Sequence, residues 1–368
     1  MHPMVRIVDL DALGRNIQRI RSRIPEGTGL MAVVKADAYG HGSIPCARRV
    51  LREGASALCV ATIEEGLELR RAGLTPMILV LGVSHGRDVL RAGAEAGLTL
   101  TVCDPDHVLE IRHAAEGLDG PVSVHLKLDT GMNRLGVSSP EARDCVVHAI
   151  QETQGLVLLK GAYSHFADAD GPSIHSSMDQ LDLFRKLLRG LPAGILRHIA
   201  NSAAIERLMP EAAFDMVRAG ISMYGYSPTG LEQHLEMVMT WETEITFIKD
   251  LPAGARIGYG LTCTLSRSAT VATVRCGYGD GYHRLSGEHA HVLVKGKKCP
   301  VLGRICMDQM MVDVTGLNVR AGERVILMGA ESGEKIDAQD LADWACTIPY
   351  EVLLSATGRV PRVWKGKE

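Results

Sequence analysis

Short apolar runs recur through the first two thirds of the chain, at residues 31–36, 57–62, 77–82, 98–103, 122–129, 156–166, 195–202 and 214–224. Helix-like stretches of mixed polarity separate most of them. Continuous rather than alternating apolar runs predict strands buried on both faces, the state of a parallel sheet. Strands of this kind alternating with helices predict a parallel (β/α)8 barrel resembling the triosephosphate-isomerase type. Ahead of them, Val5-Arg6-Ile7-Val8-Asp9-Leu10 alternates and predicts a short strand, followed by a basic helix over about Leu13 to Ile24. Helix-start signals fit this order. Thr62 with Glu65 forms a capping-box pattern, and Asp104-Pro105 and Ser139-Pro140 each place a capping residue before a proline at the first helical position. The runs differ too much in sequence and spacing to count as an internal repeat.

After about Gly230 the texture changes. Strands are predicted over Met237 to Leu251, Ala269 to Cys276, Met311 to Val314 and Arg324 to Met328, with a hairpin between His291 and Gly303. One helix, near Ile336 to Thr347, interrupts them. The expectation is an α/β chain of two domains: residues 1–232 as the barrel, and 233–368 as a C-terminal mainly-β domain.

Composition narrows the class. The chain has 368 residues, 46% hydrophobic, enough to bury the cores of two domains. A net charge of −3 offers no basic field for nucleic acid or anionic membrane. Nine dispersed cysteines, with no Cys-x-x-Cys pair, read as reduced thiols and not as a disulfide framework or zinc site. The opening Met1-His2-Pro3-Met4-Val5-Arg6 lacks a signal-peptide core, and no apolar run nears the ~20 residues that span a bilayer. The expectation is a cytoplasmic protein that uses no metal.

Candidate chemistry gathers where a barrel of this kind keeps its site, at the C-terminal ends of the strands. Met31-Ala32-Val33-Val34 runs into Lys35-Ala36-Asp37-Ala38-Tyr39-Gly40-His41-Gly42. A lysine ending a buried strand is costly unless it is paired, neutral or covalently used; burial lowers its pKa toward that of a nucleophilic amine. A lysine snorkelling from a strand end is the plainer alternative. Downstream lie Lys127-Leu128-Asp129-Thr130-Gly131-Met132-Asn133-Arg134, then His165, Asn201-Ser202 and Arg218 with Gly220-Ile221. Ser202 beside a helix start, with Gly220 close by, fits an anion site in the loops after the last two barrel strands, or a plain helix cap.

The Lys35 stretch resembles the cofactor-lysine motif of the alanine racemases, pyridoxal-phosphate enzymes of fold type III, and similarity to them runs through nearly the whole chain. Asp37 replaces the family's usual asparagine, a variation read as tolerated. The resemblance implies an isomerase that interconverts L-alanine and D-alanine by a two-base mechanism and supplies D-alanine for peptidoglycan. It implies that pyridoxal 5′-phosphate is held by Lys35, Tyr39, His165, Asn201, Ser202, Arg218, Gly220, Ile221 and Tyr350. Arg218 would face the pyridine nitrogen; a guanidinium only donates, so the ring stays uncharged and side reactions such as transamination are limited. Arg134 would meet the cofactor's phenolic oxygen and the substrate carboxylate, and Met307 that carboxylate through its N–H. Lys127 would be carbamylated, turned into an anion that orients Arg134. Tyr278 and Arg304 would line the access channel. Tyr259, in Ile257-Gly258-Tyr259-Gly260 of the β domain, would be the second base beside Lys35, delivered to the partner's barrel in a head-to-tail homodimer. The β domain thus supplies the second catalytic base.

Each assignment has a plainer competitor. Arg218 reads otherwise as a barrel-mouth ion pair, His165 as a satisfied core histidine, and Lys127 as a lysine paired with Asp129 or left at the rim. Tyr259 reads as a turn residue, and Met307 as core filling. Two other functions compete with the leading one. The first is a broader racemase acting on serine; the second is a non-catalytic pyridoxal-phosphate barrel protein, which would need no β domain.

Overall fold

The computed structural model describes residues 3–367; Met1, His2 and Glu368, which the sequence reading includes at the two ends, lie outside them. The chain divides into two compact units, cut near Glu236–Met237. Leu13–Ala38 and Gly42–Glu236 form one; the residues through Ala12, Tyr39–His41 and Met237–Lys367 form the other.

The N-terminal strand β1 (Val5–Asp9) precedes eight strands: β2 (Gly29–Val33), β3 (Ala57–Val60), β4 (Met77–Val80), β5 (Leu100–Val102), β6 (Val122–Lys127), β7 (Val157–Tyr163), β8 (Leu196–His198) and β9 (Met216–Ala219). Strands β2 to β9 pair in parallel in two runs, β4-β3-β2-β9 and β5-β6-β7-β8. Backbone bonds join them into a barrel. Thr99 N–H donates to Ile78 C=O across one seam, and Arg218 N–H to Ala200 C=O across the other. These strands are buried on both faces along most of their length, as their unbroken apolar runs require. All eight runs expected from the sequence become strands. The strands stop earlier than expected, so Lys35 and His165 stand just beyond β2 and β7 and not at their last residues.

The expected caps form. Thr62 and Glu65 close a capping box at Ile63–Arg71, and Asp104 and Ser139 cap the helices that begin at Pro105 and Pro140. The first helix runs Leu10–Arg21, earlier than expected, because the Asp9 carboxylate accepts from the Asp11 and Ala12 N–H groups (both 3.0 Å).

The other unit is mainly β: β10 (Met239–Leu251), β11 (Arg256–Ile257), β12 (Cys263–Thr264), β13 (Ala269–Val274), β14 (His291–Val294), β15 (Lys297–Pro300), β16 (Met310–Asp313), β17 (Arg324–Glu331), β18 (Glu334–Ile336) and β19 (Arg362–Lys365). Its long strand β10 alternates buried and half-buried residues over 239–245, the mark of a sheet with one face on a core, and is exposed or half-buried beyond. The expected hairpin is β14–β15. Two features differ from expectation. Strand β1 pairs antiparallel with β10 and parallel with β19, so the first residues belong to the β unit and not to the barrel. The single helix expected near Ile336–Thr347 is two, Ala338–Ala345 and Pro349–Ser355, because Cys346 turns left-handed (φ 55°) and Pro349 starts the second.

Candidate active site

Four residues in a row after Lys35, Ala36 to Tyr39, have φ between 50° and 55°. A left-handed turn of non-glycine residues costs roughly 1–2 kcal/mol per residue, so it persists only where its surroundings hold it. Ala38 N–H donates to Val34 C=O (2.9 Å), Gly42 N–H to Asp37 C=O (2.9 Å), and Ser43 N–H to the Asp37 carboxylate (2.8 Å). Asp37 works here because a short polar side chain tolerates this conformation nearly as well as asparagine does. Lys35 itself is half-buried. Burial lowers its pKa, the Arg134 charge adds to the effect, and Glu65 opposes it.

Arg218, on β9, is 2% exposed. Its Nη1 donates to Nδ1 of His198 (2.6 Å), and Nη2 to the carbonyls of Ser164 (2.7 Å) and Ile199 (3.0 Å), with His165 Nδ1 at 3.2 Å. A guanidinium only donates, which fixes the protons beyond it. His198 keeps its proton on Nε2 and donates to His125 Nδ1 (3.0 Å); His125 then carries its proton on Nε2, which has no partner. Burial first, then Arg218, pushes His125 down to about 3 and holds His165 and His198 well below the usual histidine value. These imidazoles are therefore neutral, and His165 adds no positive field to the site. The room for His125 comes from Gly161, where a Cβ would lie 2.6 Å from the ring. The ion-pair alternative for Arg218 is not realised: among the described residues Lys35, Lys127, Arg134 and Arg218 all lack a carboxylate partner.

Lys127 ends β6 and is 3% exposed. Its Nζ donates to Leu128 C=O (2.9 Å). Burial, with Arg218 beside it, lowers the amine to about 8. The expected alternative, pairing with Asp129, is also not realised. That carboxylate opposes the shift, but it accepts from the Gly131 (2.9 Å) and Asn133 (3.1 Å) N–H groups. Arg134 lies exposed beyond this loop.

Tyr163 joins these parts, and the sequence reading missed it. Its ring stacks on His198 (4.9 Å, 8°), with Arg218 at 5.3 Å and Lys127 at 5.4 Å from its centre. Its hydroxyl donates to Leu81 C=O (3.2 Å) and meets Thr101 (2.9 Å). A tyrosine inside an apolar run gives no sign of this; its position one turn of the pleat before His165 is the only available signal.

Asn201 caps Ser202–Arg207, accepting from the Ala204 N–H (3.0 Å). Ser202 Oγ accepts from the Gly220 (2.9 Å) and Ser222 (3.4 Å) N–H groups, which binds the loop after β8 to the turn Ile221–Tyr224 after β9. Ser202 is thus not the helix cap, which is Asn201. It holds together two backbone segments whose first N–H groups have no intrahelical acceptors.

The β unit gathers the remaining candidates. Tyr278 N–H donates to Cys306 C=O (3.1 Å) and Gly279 N–H to Met307 C=O (2.8 Å), so those two loops are stitched together. Gly260 lies so close to Arg304 that a Cβ would sit 2.9 Å from its guanidinium, which brings the Tyr259 loop beside the Gly303–Asp308 loop. Tyr259 is 69% exposed and Met307 52% exposed, so neither fills a core. The rings of Tyr39 and Tyr350 lie 5.8 Å apart.

The barrel unit thus presents an amine of lowered pKa among cations that lack counter-ions, beside backbone donors suited to an anion. Comparisons with known proteins agree in one direction. Residues 8–228 match the model for the alanine racemase N-terminal domain, and residues 238–364 that for the C-terminal domain. The chain is 38% identical to an alanine racemase of Halothermothrix orenii, over 98% of this chain and 96% of that one. It is 40% identical to that of Symbiobacterium thermophilum, over 100% and 98%. Among solved structures, an alanine racemase of Bacillus anthracis with bound L-Ala-P superposes with a TM-score of 0.91 at 36% identity, covering 100% of this chain and 96% of that one. A histidine racemase of Leuconostoc mesenteroides superposes with the same TM-score, 0.91, at 26% identity, over 99% and 98%.

Proposed function

We infer that this chain, which belongs to the alanine racemase family, is an isomerase that interconverts L-alanine and D-alanine. The family's general role is to supply D-alanine for peptidoglycan. The observation that carries the reading is Lys35, a half-buried amine of lowered pKa at the C-terminal end of a barrel strand, with no carboxylate in ion-pair contact among the described residues. The direct test is polarimetry: purified protein, L-alanine and pyridoxal phosphate should bring the optical rotation to zero. A stable rotation at high enzyme concentration would refute it.

Pyridoxal 5′-phosphate is the cofactor this donor set fits. Unpaired cations suit a phosphate and a phenolic oxygen, and a buried donor-only Arg218 suits a neutral ring nitrogen. When bound, it supplies an aldehyde that captures the amino acid and a ring that withdraws electrons from the Cα–H bond. Ser202, Gly220 and Ile221, with Asn201 shaping the turn, would hold its phosphate, His165 would contact its ring, and Lys35 would be the amine that anchors its aldehyde. Tyr39 and Tyr350 remain cofactor-side residues by resemblance. Arg134 and the Met307 N–H, which meets no acceptor among the described residues, orient the substrate carboxylate. Tyr278 and Arg304 line the access channel.

Inversion needs a proton removed on one face of Cα and returned on the other. Lys35 Nζ serves one face. Tyr259 Oη, from the β domain of a second copy, serves the other, which makes the working unit a homodimer. Its exposure, with that of Leu261, Tyr278 and Met307 in the same unit, supports a partner surface there.

Lys127 is proposed to carry a carbamate. At about pH 8 the amine is half neutral, and only the neutral amine reacts with carbon dioxide. Protein equilibrated with 13C-bicarbonate should therefore show one carbamate carbonyl signal that grows as pH rises through about 8. Lys127→Arg should lose the signal; its persistence there would place the carbamate elsewhere.

The resemblance to a histidine racemase shows that this fold is not confined to one amino acid. Relative rates on alanine and serine decide the breadth. The nine cysteines are free thiols, the state that a reducing cytoplasm keeps. No helix among the described residues is long and apolar enough to cross a membrane.

A further inference from the structure

The left-handed turn after Lys35 needs an anchor at its first residue, and the structure supplies one from a different barrel element. One oxygen of the Glu65 carboxylate accepts from the Ala36 N–H (2.6 Å). The other accepts from the N–H groups of Ala61 (2.6 Å) and Thr62 (3.3 Å). One carboxylate therefore ties the chain just past β2 to the chain just past β3, while also completing the capping box of Ile63–Arg71. A capping box needs only the bond to Thr62. The bond to Ala36, 29 residues upstream, serves the turn.

We propose that Glu65 is the positioning residue of Lys35, fixing the direction in which its amine leaves the strand. The proposal rests on Lys35 being the reactive amine. Three backbone N–H groups meet Glu65, and one of them, that of Ala36, opens a run of backbone in a sparsely populated conformation that persists only where its surroundings hold it. The charge also matters. Glu65 is the largest influence that raises the Lys35 pKa, opposing burial and Arg134, which lower it.

Glutamine tests this, because it offers one acceptor oxygen where three donors converge and turns an N–H2 toward one of them. Glu65→Gln should slow kcat for alanine by about tenfold to a hundredfold with KM little changed, the cost expected of a misplaced reacting group. The pH at which acetic anhydride half-modifies Lys35 in the cofactor-free protein should fall, and amide exchange across residues 34–42 should quicken. Glu65→Asp keeps the charge and should restore the labelling pH but not kcat. Thr62→Ala removes the cap and leaves the Ala36 bond, so its exchange and labelling should match the wild type. Wild-type kcat in Glu65→Gln, or equal loss of kcat in Glu65→Gln and Thr62→Ala in step with their melting temperatures, overturns the proposal. Failure of the Lys35 assignment itself shows separately, as activity surviving Lys35→Ala.

Discussion

Lys35→Ala is expected to lose racemisation in both directions by more than about 10⁴-fold, since it removes both the covalent anchor and one proton carrier, and proton transfer alone contributes 10²–10⁴-fold. The fold should survive. The amine has no hydrogen-bond or ion-pair partner to lose among the described residues, and its lowered pKa says that the charged form is disfavoured where it stands. Borohydride reduction of the cofactor-loaded wild type should fix the label on the peptide containing Lys35, and the variant should take up none. Label on Lys127, the other lysine of lowered pKa near Arg218, would move the assignment.

Tyr259→Phe is expected to separate the two enantiomers. Removing one of two proton carriers should slow exchange of the Cα hydrogen of L-alanine by about 10²–10⁴-fold, and that of D-alanine far less, because Lys35 still serves its own face. Deuterium incorporation measured from each pure enantiomer gives the comparison. Equal losses would mean that Tyr259 acts on neither face selectively. The ring is 69% exposed in the single chain, so the substitution should leave the melting temperature of the fold unchanged.

How much of this was legible beforehand depended on the range of each signal. The barrel strands were readable because burial on both faces leaves unbroken apolar runs, and the caps because Thr62-Glu65, Asp104-Pro105 and Ser139-Pro140 act over a few residues. Lys35 stood out as a charge at the end of such a run. Long-range facts were not readable. Nothing in Val5–Asp9 says that its partners are β10 and β19, and Ala36-Asp37-Ala38 are residues that ordinarily favour right-handed turns. Tyr163 looked like packing because a stacked ring and an apolar strand residue share one sequence signature. The neutral state of His165 follows first from burial and then from neighbouring cations, and both arise only in the folded barrel.

The division of the chain also has a consequence for its birth on the ribosome. Strand β1 emerges before the barrel, yet one of its flanking strands, β19, emerges after all the other described strands; the Arg6 guanidinium reaches the Val360 carbonyl across 354 positions. Its other neighbour, β10, comes only after the whole barrel has been made. Until β10 follows the barrel, an alternating apolar strand has open edges and no mate, a hazard for sticking to other nascent chains.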